Sequence, residues 1–395
     1  MSVAARRAAI VVFALALVWR VLHVNAVLYD DNGRPRLPAV GQNSAAEANV
    51  DRETLRQALR SNPGQIDALL MLAGRYESSG DAKQASRALD AAYQLAPDER
   101  NVLAAVAEFQ LRQGDVARAL PLLDRLVDTY PEMRPGAFEI LGQLLSEGRE
   151  PATWKRILAR KPAWLGLFIV SSCERGMDPA ILVPLLLERT PSSRSPTPES
   201  ACVIDRLRVS DRWQQAYQVW LNTLPRERLS EVGFVFNGSF EFAPSGQGFD
   251  WRPTRALERD SGHSVEMPQA QGVSGKRALR VSYNGKRQSG VPIAQYLALA
   301  PGAYGLSGLA RPLSITAGRG VEWTLRCVKA GTPSETIATS ERFVGSGDWR
   351  HFAFEIKVPA GCPGQVLQLE ALATSDGYAY LSGSIWFDDL VLRHL

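Results

Sequence analysis

The chain has 395 residues and a mass of 43.3 kDa, with 45% hydrophobic and 22% charged residues and a mean hydropathy of -0.13, a composition that excludes both a disordered chain and a multi-span membrane protein. At roughly 100 to 200 residues per domain it is too long for one small domain. A net charge of +4 is too mild to imply nucleic acid, and four histidines and four cysteines, none in the spacings C-x-x-C, H-E-x-x-H or C-x-x-C-H, argue against most metalloenzyme chemistry.

The first element is an export signal. Arg6 and Arg7 precede an apolar run from Ala8 to Trp19, then Arg20 and a second apolar stretch to Leu28. The run suits a secretory h-region, with Val24 and Ala26 placed for a signal peptidase. Alternatively one helix continues to about Leu28, with Arg20 and His23 snorkelling to the interface, and residues 1–28 form a single anchor. The apolar character resumes after Arg20, which favours the anchor. The paired arginines keep the amino end in the cytoplasm, so the expected location is the bacterial inner membrane, single-pass, with the bulk of the chain in the periplasm. Residues 29–49 read as a linker.

Residues 50–230 read as helical. Pro63, Pro97 and Pro131 lie 34 residues apart, and Gly80, Gly114 and Gly148 repeat the same step, with Asp81 and Asp115 after the first two. Within 66–99, the positions Leu69, Leu72, Ala73, Tyr76, Ala85, Leu89, Ala92 and Pro97 resemble the tetratricopeptide repeat, a helix-turn-helix unit that buries its apolar face only by stacking on neighbours. The unit 100–133 repeats the pattern with Leu103, Val106, Ala107, Ala119, Leu123, Leu126 and Pro131, but Gln110 stands where the family has a large aromatic, so looser packing is expected there. Each Gly-Asp predicts a tight turn with Asp capping the second helix. Asp51 to Pro63 reads as a capping helix, and beyond residue 136 the pattern degrades through helical pairs ending at 199–223. The resemblance implies a groove for a protein partner, lined by Asp67, Leu70, Glu77, Asn101, Ala104, Glu108 and Leu111. The alternative is a purely structural solenoid.

Near residue 231 the periodicity changes to alternation, and seven stretches of 8 to 11 residues separated by Gly or Pro turns predict an antiparallel β-sandwich over 231–395. Alternation sends Leu279, Val281, Tyr283, Trp323, Leu325, Cys327, Phe352, Phe354, Ile356 and Val358 inward. It sends Arg280, Tyr296, Glu322, Arg326, His351 and Glu355 outward. One of Trp386 and Phe387 must face out. Cys327 and Cys362 lie in the sandwich and Cys173 and Cys202 in the helical region, so one disulfide in each is expected in an oxidising compartment.

The stretches FNGSFEF, FDW at 249–251, LAPGAYGLSG and IWFDDLVL resemble carbohydrate-binding modules and galactose-binding-like jelly rolls, over essentially all of 234–395. That resemblance implies a structural Ca2+ joining the first and last strands, with Glu241 and Asp388 as its metal ligands by position; the alternative for Glu241 is an ion pair with Arg252 or another arginine. It also implies an aromatic platform for sugar, for which Arg280, Tyr296, Glu322 and Arg326 are the candidate glycan-binding residues, while Trp251 and Trp349 fall at core positions. The run SGKRALRVSYNGKRQSG adds a basic patch, Lys276, Arg277, Lys286 and Arg287, suited to an anionic polysaccharide or simply to solvent.

The fold class expected is therefore multidomain α and β: an N-terminal membrane helix, an α-solenoid of tetratricopeptide-like repeats and a C-terminal antiparallel jelly-roll β-sandwich. No serine elbow, zinc signature or phosphate loop is present, so no catalytic residue is assigned and no cofactor is required. The combination resembles accessory proteins of bacterial exopolysaccharide or O-antigen assembly. It implies a non-catalytic adaptor that holds a protein of the polysaccharide machinery and lies near a glycan; the alternative is an envelope protein whose sandwich docks another protein.

Overall fold

A computed structural model of the chain describes residues 51–188, 197–253, 262–269, 275–288, 290–316, 319–372 and 380–395. The export element at 1–28 and the linker at 29–49 lie outside the described residues, among which no helix is long and apolar enough to cross a membrane. The chain divides into two compact units, Met1–Ile181 and Leu182–Leu395.

The described part of the first unit is helical: α1 (Arg52–Ser61), α2 (Ile66–Ser78), α3 (Ala82–Leu95), α4 (Arg100–Arg112), α5 (Val116–Thr129), α6 (Arg134–Ser146), α7 (Pro151–Ala159) and α8 (Leu165–Glu174), with α9 (Pro179–Leu187) straddling the division. The two regular repeats turn alike, Gly80 and Gly114 each adopting a φ of 78° that a side chain would strain. Asp81 and Asp115 then accept hydrogen bonds from the Gln84 and Arg118 amides, which would otherwise be orphaned at the start of α3 and α5. Ala85, Ala92, Ala107 and Ala119 are fully buried, letting the paired helices approach closely. Gln110 is buried as well, and Phe109 beside it enters the core.

Past α5 the small residues give way to aromatics. Phe138, Trp154, Trp164 and Phe168 cluster between α6, α7 and α8, with ring centroids 5.5 to 6.4 Å apart. Asp124 on α5 is buried beneath them, accepting a hydrogen bond from Trp164 Nε1 at 3.1 Å and pairing with Arg160. This polar clamp replaces the alanine contacts of the regular repeats.

The described part of the second unit combines α10 (Pro198–Val209), α11 (Trp213–Thr223) and a 3-10 turn (Arg226–Glu231) with ten strands. These are β1 (Arg252–Pro253), β2 (His263–Glu266), β3 (Leu279–Arg287), β4 (Ile293–Leu297), β5 (Gly302–Thr316), β6 (Val321–Lys329), β7 (Thr332–Thr339), β8 (Arg350–Val358), β9 (Gly364–Ala371) and β10 (Tyr380–His394). They form two five-stranded antiparallel sheets, β1-β4-β9-β6-β7 (sheet I) and β2-β3-β10-β5-β8 (sheet II). Trp251, Trp323, Phe343, Phe352 and Phe387 fill the space between the sheets, with Cys327 and Phe354 at its margin. Cys327 and Cys362 are bonded across 35 residues, a closure of the unfolded chain worth about 4 kcal/mol on loop-entropy grounds. Among the described residues no cysteine is a free thiol, Cys173 on α8 and Cys202 on α10 included.

The helices at 198–223, assigned to the solenoid from sequence, share a compact unit with the strands, and the reason is visible in α11. Trp213 and Trp220, seven residues apart on one helix face, are 3% and 1% exposed. Each rests on a glycine of the strand region: a Cβ at Gly364 would fall inside the Trp213 indole, and one at Gly248 inside that of Trp220. Phe249 and Phe236 complete the seat, at 5.6 and 4.9 Å from Trp220. Gln214 Nε2 donates to the Ala298 carbonyl at 2.9 Å, and Asp211 accepts from the Ala330 amide at 2.9 Å. At about 25 cal/mol per Å2 and roughly 200 Å2 of buried surface per indole, each tryptophan contributes about 5 kcal/mol of burial.

Candidate functional site

In the solenoid, the predicted groove residues sit on α2 and α4. Asp67 is exposed, and Leu70, Glu77, Asn101, Ala104, Glu108 and Leu111 are half-buried. Arg112, absent from the predicted set, ties two of them together. Its guanidinium donates to both Glu77 oxygens at 2.6 and 2.7 Å and also pairs with Glu108. Against the pull of burial, these carboxylates hold Arg112 above its ordinary pKa. The surface is thus less acidic than its sequence suggests. Between α6 and α8 a cavity of about 260 Å3 opens beside Glu139, Gln143 and Arg175.

The outer face of sheet I carries three of the four predicted glycan-binding residues. Tyr296 on β4 aligns with Val366 on β9, which aligns with Arg326 on β6; Glu322 lies further along β6, opposite Glu370. Alternation placed these side chains outward, but it missed Gln368 and Glu370, which share the face. Glu370 Oε1 accepts from Arg326 at 3.1 Å and is also bonded to the Gln368 amide. Thr324, between the core residues Trp323 and Leu325, is outward-facing by alternation yet only 1% exposed. Burial raises the Glu322 pKa, Arg342 at 3.8 Å opposes the rise, and Glu370 adds to it. A row of planar amide, carboxylate and guanidinium groups can exchange paired hydrogen bonds with vicinal hydroxyls.

Tyr296 itself differs from expectation. It is no open platform: the Arg208 guanidinium of α10 lies 3.9 Å from its ring centroid, Arg252 lies 4.8 Å away, and the Trp213 ring 5.7 Å. Arg208 and Trp213 come from the helical hairpin, docked there by its tryptophans, and Arg252 comes from β1. Arg280 is displaced from the set altogether, since it belongs to β3 of sheet II. There it aligns with Trp386 on β10, which aligns with Arg311 on β5, and its guanidinium lies 5.4 Å from the Trp386 ring. Trp386 is accordingly the outward residue of its pair and Phe387 the fully buried one. Lys276, Arg277, Lys286 and Arg287 are exposed, at or near the two ends of β3.

The predicted metal ligands lie close to each other. Asp388 is fully buried at a bulge in β10, and both its carboxylate oxygens are buried with no side-chain donor or cation on them among the described residues, the neighbouring Asp389 amide being too poorly aligned to satisfy them. Burial pushes its carboxyl up to about 7; Asp389 and Glu241 push the same way, and the Asp389 amide opposes them. Glu241 does not pair with Arg252; Oε1 accepts instead from the Lys276 and Arg277 amides at 2.7 and 2.9 Å, while Arg252 faces Asp205 at 3.6 Å. No group of three or more His, Cys, Asp or Glu side chains converges among the described residues, so carbonyl oxygens would have to complete a calcium shell. An orphaned, buried carboxylate beside a second one fits a hard cation.

Residues 76–144 match the family model of the tetratricopeptide repeat. No curated protein matches the chain. Among solved structures, it is similar to a CBM4 structure at 16% identity and a TM-score of 0.31, covering 41% of this chain and 99% of that one. It is similar to a family 16 carbohydrate-binding module at 17% identity and a TM-score of 0.29, covering 41% and 100%. A third is the CBM22-1 xylan-binding domain of Paenibacillus barcinonensis Xyn10C, at 17% identity and a TM-score of 0.29, covering 40% and 91%.

Proposed function

We propose that this chain is a non-catalytic, periplasm-facing adaptor in bacterial polysaccharide assembly or export. Its solenoid holds a protein of that machinery, its sandwich binds a glycan along the outer face of sheet I, and residues 1–28 tether it to the inner membrane. The observation that carries the glycan reading is the outward row of Glu322, Arg326, Gln368 and Glu370, in which Arg326 and Gln368 are bonded to Glu370 and Glu322 pairs with Arg342. Calcium, bound through Glu241 and Asp388, would tie the loop before β1 to β10 and supply the charge that Asp388 lacks.

Affinity gel electrophoresis of the full chain against a panel of neutral and acidic polysaccharides tests the reading. Retardation is expected with at least one polymer, and Arg326→Ala with Glu370→Ala should weaken it about tenfold or more, as loss of charge-assisted hydrogen bonds does. Unretarded migration in every polymer would sink the proposal. The covered ring of Tyr296 favours a second reading, in which the sandwich docks a protein and never touches sugar. That reading predicts no retardation.

A further inference from the structure

On the outer face of β6 and β9, Glu370 pairs with Arg326 and Glu322 with Arg342; at the β4 end the balance differs. Arg208 and Arg252 both lie over Tyr296 and share one carboxylate, that of Asp205, at 2.6 and 3.6 Å. Two guanidiniums face one acid. Arg208 is 9% exposed, and Arg208 Nε, Arg252 Nε and Trp213 Nε1 are all buried without a hydrogen-bond partner. Burial, and then the like charge of Arg208, lower the Arg252 pKa, so the pair is under electrostatic load. A desolvated cation with less than its share of counter-charge is costly unless something anionic completes it.

We infer that the β4 end of the outer face of sheet I is an anion subsite, formed jointly by Arg208 of α10 and Arg252 of β1, that takes the carboxylate of a uronic acid residue. The inference rests on the glycan reading of sheet I and names the class of glycan. The Arg252 side chain, 30% exposed, is the part of the subsite open to ligand. Tyr296 and Arg326 stand two strands apart, about 10 Å at the usual strand spacing, so the subsite and the polar row lie within reach of one oligosaccharide. A neutral hydroxyl could accept a hydrogen bond here but would leave the excess charge in place. A carboxylate removes it and matches the planar fork of a guanidinium. The helical hairpin, by supplying Arg208, thereby becomes part of the sugar site.

The test is calorimetric titration of the full chain with matched pairs of oligosaccharides: a β-1,4-linked glucuronic acid tetramer against cellotetraose, its carboxyl-reduced counterpart, and tetragalacturonate against its reduced form. In at least one pair the acid should bind tenfold or more tightly, and Arg252→Gln should close the gap. Equal affinities within every pair, or preference for the reduced member, would overturn the subsite and leave the glycan reading standing. Binding of no member of either pair would overturn the subsite; the glycan reading falls only if the polysaccharide panel also fails. The wild-type comparison within each pair holds even if the variant folds poorly.

Discussion

Gly364→Ala is expected to destabilise the second unit by about 3 to 5 kcal/mol, as much as removing the Trp213 side chain itself. The backbone at 364 needs no special conformation. The demand is steric: the Trp213 indole occupies the space where any Cβ would go, so an alanine must expel the ring from β9 or push the strand away. Either outcome exposes a side chain that is now 3% exposed and loosens its ring contacts with Phe249 and Tyr296. Chemical denaturation measures the loss. The double variant Trp213→Ala with Gly364→Ala should be no less stable than Trp213→Ala alone, because the clash vanishes with the indole; additive losses would show that Gly364 serves some other purpose. Limited proteolysis of Gly364→Ala should open the chain within 198–223. Denaturation and cleavage like those of wild type would contradict the docking of α11.

Removing calcium is the second large effect expected. If Glu241 and Asp388 hold the ion, saturation at about 100 times the dissociation constant stabilises the folded sandwich by about 2.7 kcal/mol, and a chelator reverses it. Asp388→Asn should abolish the response. It should not, however, destabilise the metal-free protein, because a neutral amide in that buried position avoids the penalty of an unpaired carboxylate. Thermal unfolding of both proteins with calcium and with chelator gives the four values needed. A wild-type transition indifferent to calcium would sink the assignment, as would a calcium response retained in Asp388→Asn.

Much of this architecture is legible in the sequence, and the exceptions share one cause. The 34-residue step located α2 to α5 and the caps at Asp81 and Asp115, because turn chemistry is local. Alternation placed Leu279, Val281, Trp323, Leu325 and Ile356 in the core, because a strand buries every second residue. Alternation assigns a face, however, and not a sheet, so Arg280 and Tyr296 were grouped although they lie on different sheets. Nor does it say what covers a face. Tyr296 is outward as expected, but the groups that cover it are Arg208 and Trp213, more than eighty residues earlier and on helices whose apolar stripe looks the same whether it packs on a helix or a sheet. One signal was present: glycines at 248 and 364 where the neighbouring positions carry larger side chains, each the seat of a tryptophan. Gln368 and Glu370 escaped notice because a polar residue on an outward strand position is ordinary until its neighbours are known.

We propose the outer face of sheet I, together with the hairpin that closes its β4 end, as the glycan-binding surface. Hydrogen exchange of the full chain, with and without a polysaccharide that retards it, tests this most directly. Bound glycan should slow exchange in β6 from 322 to 326, in β9 from 365 to 370 and at 205–213, while β3 and β8 of sheet II exchange as before. Protection confined to sheet II, or none on sheet I, would contradict the account.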